Sequence, residues 1–281
     1  MGRLGGHGKM EEPHMYGTTF PAYPQRIVCL TAETVEIVYA LGAGDRVVGV
    51  SGATTLPEAR EKVKIGGFTT FKLEKILSLK PDLVLAFSDL QKEIVRDLVE
   101  AGVTVLALNQ RSLEEVYRAI LLVGGVLGRE EAARGLVRDF QDEVRQVREY
   151  SSVWPDRPRV FFEEWDDPLI SGITWVSELI EIAGGRDIFP ELRAEPLASG
   201  RVVDPQEVVR RDPQIIIASW CGKRVAVEQI RRRPGWKAIE AVRESRIFEV
   251  KSSDILAPGP ALLRGLRELH EIVQRYMTEG K

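Results

Sequence analysis

The chain has 281 residues, of which 44% are hydrophobic and 29% are charged, a composition typical of folded globular proteins and not of disordered ones. This length is sufficient for two domains of ordinary size. The formal net charge of −3 provides no overall attraction for nucleic acid or for an anionic membrane. We therefore expect no nucleic-acid partner. No run of about 18 consecutive apolar residues occurs, so the sequence predicts no membrane-spanning helix.

The first residues, MGRLGGHGKMEEPHMYGTTFPAYP, are rich in glycine and polar side chains. They contain no apolar segment of the kind found in secretory signals and no cysteine that could accept a lipid. The sequence therefore predicts a disordered tail over residues 1–25. On this basis we expect a cytoplasmic protein as the sequence stands, or a periplasmic or extracytoplasmic one if a signal segment has been removed.

Short strands alternate with helices through the first half of the chain. Strands are predicted over 26–30, 46–51, 82–87 and 103–108, and helices over 34–43, 73–80, 91–102 and 112–128. The last of these helices begins with Ser112 and has Glu115 three residues later, which is a capping-box pattern. Buried strands that alternate with helices are typical of a mostly parallel α/β sheet. We therefore predict an N-terminal α/β lobe over 26–128.

The segment 129–152 has the pattern of one long helix. Its apolar residues recur at spacings of four and three, which places them on a single face; they are Ala133, Val137, Phe140, Val144 and Val147. No linker rich in glycine, serine or proline interrupts the middle of the chain. The sequence therefore predicts a rigid helix that joins two lobes.

The order of strands and helices in the first half recurs in the second half. RVFFEE (159–164) corresponds to RIVCLT about 133 residues earlier, an offset too long for a solenoid repeat. In both halves a short helix runs into a proline that starts a strand, at Pro81 in LEKILSLKPDLVLAF and at Pro213 in DPQEVVRRDPQIIIAS. We therefore predict a second α/β lobe over 153–281.

The sequence signatures of common enzyme classes are absent. There is no GxGxxG or GxxxxGK[ST] loop and no GxSxG elbow. The three histidines, His7, His14 and His270, are not arranged as a zinc motif or a catalytic triad. Cys29 and Cys221 are isolated and form no CxxC pair, so the sequence predicts neither a structural zinc site nor a disulfide framework. We expect a non-catalytic protein without a metal site.

Ligands of open α/β sheets bind beyond the carboxyl ends of the strands. In the first lobe the loops at these ends carry the candidate ligand-binding residues Ser51, Thr54, Thr55 and Phe68. In the second lobe the candidates in or beside these loops are Glu163, Trp165, Trp175, Trp220, Cys221, Arg224 and Asp254. Three of the five tryptophans therefore fall at one predicted edge. Aromatic walls with a few polar groups are typical of a cleft for a sizeable, partly apolar ligand.

The order of these segments resembles that of class III ABC-transporter substrate-binding proteins, which carry cobalamin and iron-siderophores, and above all the vitamin B12-binding type. The segments that carry the resemblance, within about 26–275, are RIVCLTAETVEIVYALGAGDRVVGVS, LEKILSLKPDLVLA, ISGITWVSELIEIAGG, RPGWKAIEAV and APGPALLRGL. The resemblance implies two Rossmann-like lobes bridged by one stiff helix, with the ligand cleft between the lobes. We expect a monomer that changes shape little when its ligand binds.

The resemblance also implies which residues contact the ligand. These are Phe68, Trp165, Trp175, Trp220 and Asp254, with residues 51–55 on the opposite wall. The chain departs from the vitamin B12 type in two loops: it has SGATTLP where a tyrosine is usual, and Phe68 where tryptophan is often found.

The chemistry of each possible ligand indicates which kind of ligand within this family the sequence suits best. Haem normally requires an axial tyrosine or histidine, and a catecholate siderophore favours several arginines or lysines in the cleft. A neutral corrinoid rimmed with amides suits tryptophan faces and polar acceptors better. We therefore expect cobalamin or a related corrinoid as the bound ligand, with no catalytic cofactor; an iron-siderophore or haem is the alternative. A hypothesis of another class is a cytosolic corrinoid-handling protein or enzyme that uses Glu163, Asp166 and Cys221.

In this family, one surface carboxylate on each lobe is implied to contact the permease. The first-lobe position corresponds to Glu74. The matching second-lobe position is Gln206, and Glu207 lies one residue further, about 100° around the helix. We therefore expect Glu74 and Glu207 to be the docking residues, and we expect docking to be impaired because Gln206 replaces the usual glutamate.

Overall fold

The computed structural model describes residues 22–279 and, before them, an antiparallel strand pair, β1 (His14–Met15) and β2 (Thr18–Thr19). Of the tail predicted over 1–25, the structure describes only 14–15, 18–19 and 22–25, and the remainder lies outside the described residues. Within the described part of the chain, no helix combines the length and the apolar character needed to cross a membrane.

The first lobe is built on a five-stranded parallel sheet of order β5-β4-β3-β6-β7. Its strands are β3 (Ile27–Cys29), β4 (Val47–Val50), β5 (Val63–Lys64), β6 (Leu83–Phe87) and β7 (Val105–Leu108). Its helices are α1 (Ala32–Ala40), α2 (Leu73–Ser78), α3 (Lys92–Glu100) and α4 (Leu113–Leu127). The predicted capping box is confirmed: Ser112 Oγ accepts the Glu115 N–H at 3.3 Å, and the Glu115 carboxylate accepts the Ser112 N–H at 3.1 Å.

The second lobe contains a parallel sheet of order β10-β8-β11-β12, with β9 added antiparallel to β8. Its strands are β8 (Arg159–Asp166), β9 (Leu169–Ser171), β10 (Arg186–Asp187), β11 (Ile215–Ala218) and β12 (Ile247–Glu249). Its helices are α6 (Thr174–Ile182), α7 (Pro205–Arg211), α8 (Val227–Arg231), α9 (Glu240–Arg243), α10 (Ser252–Ile255) and α11 (Leu262–Glu279). The strand order matches β4-β3-β6-β7 of the first lobe, so the repeated sequence pattern corresponds to a repeated topology.

One long helix, α5 (Glu130–Ser152), joins the lobes. Its apolar face is buried in a hydrophobic core that also includes strand residues of both sheets, such as Leu85 and Val160. Gly124 lets α4 pack closely on α5, because a Cβ at this position would lie 2.4 Å from the Cβ of Ala133. The predicted α/β fold of two lobes bridged by a helix is therefore confirmed, while the domain limits 26–128 and 153–281 remain predictions.

Buried polar contacts also fasten the lobes to each other. The Ala261 N–H donates to Glu36 Oε2 at 3.0 Å, and Gln110 Nε2 donates to the carbonyl of Pro258 at 3.0 Å. On another side of the seam, the Leu113 N–H donates to Glu178 Oε2 at 2.8 Å. Hydrogen bonds between the lobes, in addition to the connecting helix, therefore fix the position of one lobe relative to the other.

Candidate ligand cavity between the lobes

A cavity of about 310 Å³ lies where the carboxyl ends of β11 and β12 meet the first lobe. Thr55, in the loop after β4, forms its first-lobe side. The second lobe contributes Trp220, Gly222, Lys223, Arg224, Glu249, Val250, Lys251, Ser252 and Ser253. Because open α/β sheets bind ligands beyond their strand ends, this cavity is the candidate site. Thr55, Trp220 and Arg224 are the predicted site residues that line it.

Trp220 is positioned by a buried ion pair. Its indole N–H donates to Glu163 Oε1 at 3.1 Å, and Arg233 donates to both carboxylate oxygens of Glu163, at 2.6 and 2.8 Å. Glu163 has no exposed surface and Trp220 is 3% exposed. Burial raises the pKa of Glu163, and the hydrogen bonds from Arg233 and Trp220 act against that rise. Glu163, which we predicted to contact the ligand, instead lies behind Trp220 and supports it.

Trp165 and Lys223 extend this wall. The ammonium of Lys223 lies 4.0 Å from the ring centroid of Trp165 and 4.7 Å from that of Trp220, which is cation–π geometry. Lys223 Nζ also donates to Asp166 Oδ1 at 2.6 Å. Burial acts to raise the pKa of Asp166, but the hydrogen bond and charge of Lys223 outweigh it and the pKa is lowered. The lysine therefore holds two indoles and a carboxylate together.

Two further cations face the cavity. Arg224 and Lys251 are exposed, and neither side chain makes a hydrogen bond or an ion pair with another described residue. The neighbouring Glu249 is engaged, because its Oε1 accepts the Val225 N–H at 3.1 Å. Lys251 therefore joins Lys223 and Arg224 as a third cation in the lining of the cavity.

The other predicted residues of the first lobe do not line the cavity. Ser51 is buried and its Oγ accepts the Ala53 N–H at 3.2 Å, which shapes the turn after β4. Thr54 Oγ1 is buried without a hydrogen-bond partner in the described part of the chain. Phe68 is 39% exposed in a separate loop, held where its carbonyl accepts Gln91 Nε2 at 2.8 Å. Ligand contacts by these three residues remain predictions.

Three further residues of the second lobe that we predicted to contact the ligand do not line the cavity. Trp175 is 3% exposed, and its indole N–H donates to the carbonyl of Ile255 at 2.9 Å, so in this conformation it is a core residue. Asp254 is ion-paired with Arg264 at 2.9 Å. Cys221 is exposed beside Trp220, and partial desolvation, followed by the charge of Glu164, raises the pKa of its thiol.

Sequence reasoning missed several residues of this site. The cavity residues Glu249 and Lys251 had a usable signal, because one ends the short apolar strand β12 and the other follows it closely. Arg233 had none: it appears in an arginine run that is typical of a solvated helix end, and only the fold brings it to Glu163, 70 residues away.

A larger groove of about 960 Å³ lies elsewhere and is lined by helices. Its walls come from α4, α5 and α6 and include Tyr117, Arg148, Trp154 and Glu178. It does not lie at the strand ends, so we do not assign it as the ligand site. Among the described residues, no group of three or more His, Cys, Asp or Glu side chains is arranged to hold a metal ion.

The known sequences that this chain resembles include binding proteins. A family model described as periplasmic binding protein matches residues 27–253. The chain is 32% identical to the uncharacterized ABC transporter substrate-binding lipoprotein YvrC of Bacillus subtilis, over 91% of this chain and 82% of that one. It is 28% identical to a vitamin B12-binding protein of Vibrio parahaemolyticus, over 88% of each chain.

Comparison with solved structures gives the same fold. The periplasmic vitamin B12-binding protein BtuF of Vibrio cholerae superimposes with a TM-score of 0.74 at 24% identity, covering 89% of this chain and 97% of that one. The periplasmic heme-binding protein RhuT from Roseiflexus sp. RS-1, in its apo form, gives a TM-score of 0.77 at 25% identity, covering 90% and 99%. Proteins of this fold therefore include binders of at least two kinds of metal chelate.

Proposed function

This chain belongs to the periplasmic binding protein family, and on that premise we propose that it binds cobalamin or a related corrinoid between its lobes for an ABC uptake system. The observation that carries the proposal is the wall formed by Trp165, Lys223 and Trp220, with Trp220 facing Thr55 of the first lobe across the cavity. Curated relatives include vitamin B12-binding proteins that match most of this chain.

Aromatic burial with peripheral hydrogen bonding suits a corrinoid. The tryptophan wall, with Lys223 over both rings, provides an apolar border for the macrocycle. The hydroxyls of Thr55 and Ser252 are available to amide groups on its rim, whereas the Ser253 hydroxyl donates to Asp254 Oδ1 at 3.2 Å. The cavity of about 310 Å³ is at the lower end of the usual range for ligand pockets, about 300–1,000 Å³. A corrinoid therefore inserts one edge and leaves the remainder between the lobes or in solvent.

An iron-siderophore or haem is the second candidate, because Lys223, Arg224 and Lys251 line one cavity and favour anionic groups. The structural neighbour RhuT is a heme-binding protein. Among the described residues that line the cavity there is no histidine or tyrosine to serve as an axial ligand. That absence ranks haem below a corrinoid.

We propose further that the chain is a binding protein and not an enzyme. The carboxylates that a catalytic alternative would use are already engaged, Glu163 with Arg233 and Asp166 with Lys223. Neither is placed as an unpaired general base. The relative YvrC is described as a lipoprotein, and we propose that this chain acts outside the cytoplasm, as a monomer that delivers its ligand to a permease.

The test is a titration of the purified protein with cyanocobalamin, followed by tryptophan fluorescence and calorimetry. We expect saturable one-to-one binding with a micromolar or lower Kd, and we expect Trp220→Leu to weaken it about tenfold or more, since a buried aromatic contact is lost. Trp154→Phe is the matched control, because Trp154 stacks on His270 away from the cavity. Absence of binding at micromolar cobalamin rejects the corrinoid, and tighter binding of haemin or a ferric catecholate selects the second candidate.

A further inference from the structure

We propose that Arg224 and Lys251 form an anion subsite that binds the phosphodiester of cobalamin's nucleotide loop, so that the protein discriminates complete cobalamin from corrinoids that lack this loop. The inference rests on the proposed function. It identifies which end of the ligand enters the cavity, and it gives a role to two cations that the fold itself does not use.

The charges around the cavity are not balanced within the described residues. Lys223 is neutralised by Asp166 at 2.6 Å. Glu249 is the remaining carboxylate of the lining, and one of its oxygens accepts the Val225 N–H. Arg224 and Lys251 have no acidic side chain within ion-pair distance. Among the residues that line the cavity and the one ion-pair partner Asp166, one unit of positive charge therefore remains, which matches a single phosphodiester anion.

Glu268 on α11 is a further carboxylate that interacts with Lys251: burial and then Asp254 raise its pKa, while the charge of Lys251 acts to lower it. Glu268 makes no ion pair with a described residue. Lys251 is therefore influenced by a carboxylate behind it, but its ammonium is not bound by one.

The local backbone keeps the cavity side of this loop open. Gly222 has a φ of +76°, a left-handed conformation that favours glycine, and a Cβ built there meets no atom within 4 Å. Trp220 and Arg224, on either side of this turn, both line the cavity. On the adjacent loop, Ser252 adds a hydroxyl beside Lys251. A planar guanidinium, an ammonium and a hydroxyl are common donors to phosphate oxygens.

The experiment compares cyanocobalamin with dicyanocobinamide, which has the same corrin ring but no phosphodiester or terminal base. We expect the wild-type protein to bind cyanocobalamin about tenfold more tightly at low salt, and we expect this preference to shrink as ionic strength rises. The double variant Arg224→Gln/Lys251→Gln should lose about tenfold in affinity for cyanocobalamin and keep its affinity for dicyanocobinamide.

The matched control is Arg138→Gln/Lys237→Gln, which removes the same charge at exposed positions outside the cavity. It should change neither Kd. Equal affinity of the wild-type protein for both corrinoids, or equal losses for both in the Arg224/Lys251 variant, overturns the subsite while leaving corrinoid binding intact. Failure of the wild-type protein to bind either corrinoid overturns the proposed function and the subsite together. Circular dichroism and Tm measurements confirm that all variants are folded.

Discussion

Arg233 binds the buried carboxylate of Glu163 through two hydrogen bonds, at 2.6 and 2.8 Å, and Glu163 in turn accepts the indole N–H of Trp220. The arginine thus positions a wall of the cavity without being among the residues that line it. This relationship predicts that stability and ligand affinity are coupled through one ion pair.

Removing Arg233 should destabilise the protein strongly. Arg233→Met leaves Glu163 charged and unpaired in the interior, and we expect a loss of about 3–5 kcal/mol in the free energy of unfolding. Urea denaturation measures this loss. Arg231→Met is the control, because the side chains of its pair with Glu228 are 35% and 65% exposed, and such a solvent-accessible pair should contribute less than about 1 kcal/mol. Arg233→Met/Glu163→Leu should recover part of the stability; equal destabilisation by both single arginine variants would contradict this assignment.

Glu33 should make stability depend on pH. It is 4% exposed beneath the second-lobe loop, where a Cβ on Gly259 would lie 2.9 Å from its own Cβ, and its Oε1 has no hydrogen-bond partner among the described residues. Burial raises its pKa from 4.5 to about 7, with a smaller contribution from the charge of Glu36, against hydrogen bonds from Thr31 and its own backbone.

The folded state therefore binds this proton more tightly than the unfolded state. Stability from Glu33 is greatest below pH 4.5 and is lost as the pH rises to about 7, by up to about 3 kcal/mol at about 1.4 kcal/mol per pKa unit. Glu33→Gln should raise the free energy of unfolding at pH 8 and change it little at pH 4.5. The exposed Glu58→Gln should alter neither value. An equal effect of Glu33→Gln at both pH values would count against the raised pKa.

The two cysteines should differ in reactivity. Cys29 is fully buried, and burial raises the pKa of its thiol to about 12, whereas Cys221 is exposed next to Trp220. A disulfide-exchange reagent at pH 8 should therefore label one thiol per folded chain, and Cys221→Ala should abolish the labelling. Bound ligand should slow the reaction because it covers the adjacent wall. Labelling that is insensitive to ligand would place the ligand away from Trp220.

The surface carboxylates predicted to dock the permease should not affect the cavity. Glu74 is exposed on α2, whereas Glu207 is partly buried on α7 and ion-paired with Arg210 and Arg211. We expect Glu74→Gln and Gln206→Glu to leave the ligand Kd unchanged within about twofold, as is usual for exposed substitutions. Calorimetric titration measures this. A clear change for Gln206→Glu would show that α7 communicates with the cavity.

The sequence was sufficient to predict the architecture because the architecture depends on local patterns. The apolar face of α5, the capping box at Ser112 and the prolines before β6 and β11 are each specified within a few residues. The repeated order of these patterns predicted two lobes, and the sheets have the same strand order in both. The antiparallel strand β9 was missed, since its three residues follow a short turn and carry little periodic signal.

The candidate site was predicted only in part. Of the residues predicted from strand ends, Thr55, Trp220 and Arg224 line the cavity, because parallel strands present their carboxyl ends to one edge of the sheet, and their contact with a ligand stays a prediction. The presence of a tryptophan in the sequence did not indicate whether its side chain lines the cavity or lies in the hydrophobic core. Trp220 lines the cavity, whereas Trp175 is hydrogen-bonded to Ile255 inside the second lobe. Both are 3% exposed, so burial alone does not separate them either.

The sequence by itself therefore determined the alternation of strands and helices, its repetition in two lobes and the sheet edge at which the candidate cavity lies. Only the tertiary structure decided which side chains line that cavity. It paired Glu163 with Arg233 and, within the part of the chain that the structure describes, left Arg224 and Lys251 without acidic partners at the cavity. The physical reason is that helices and strands follow from neighbouring residues, whereas charge pairing and burial depend on residues that folding brings together from distant parts of the chain.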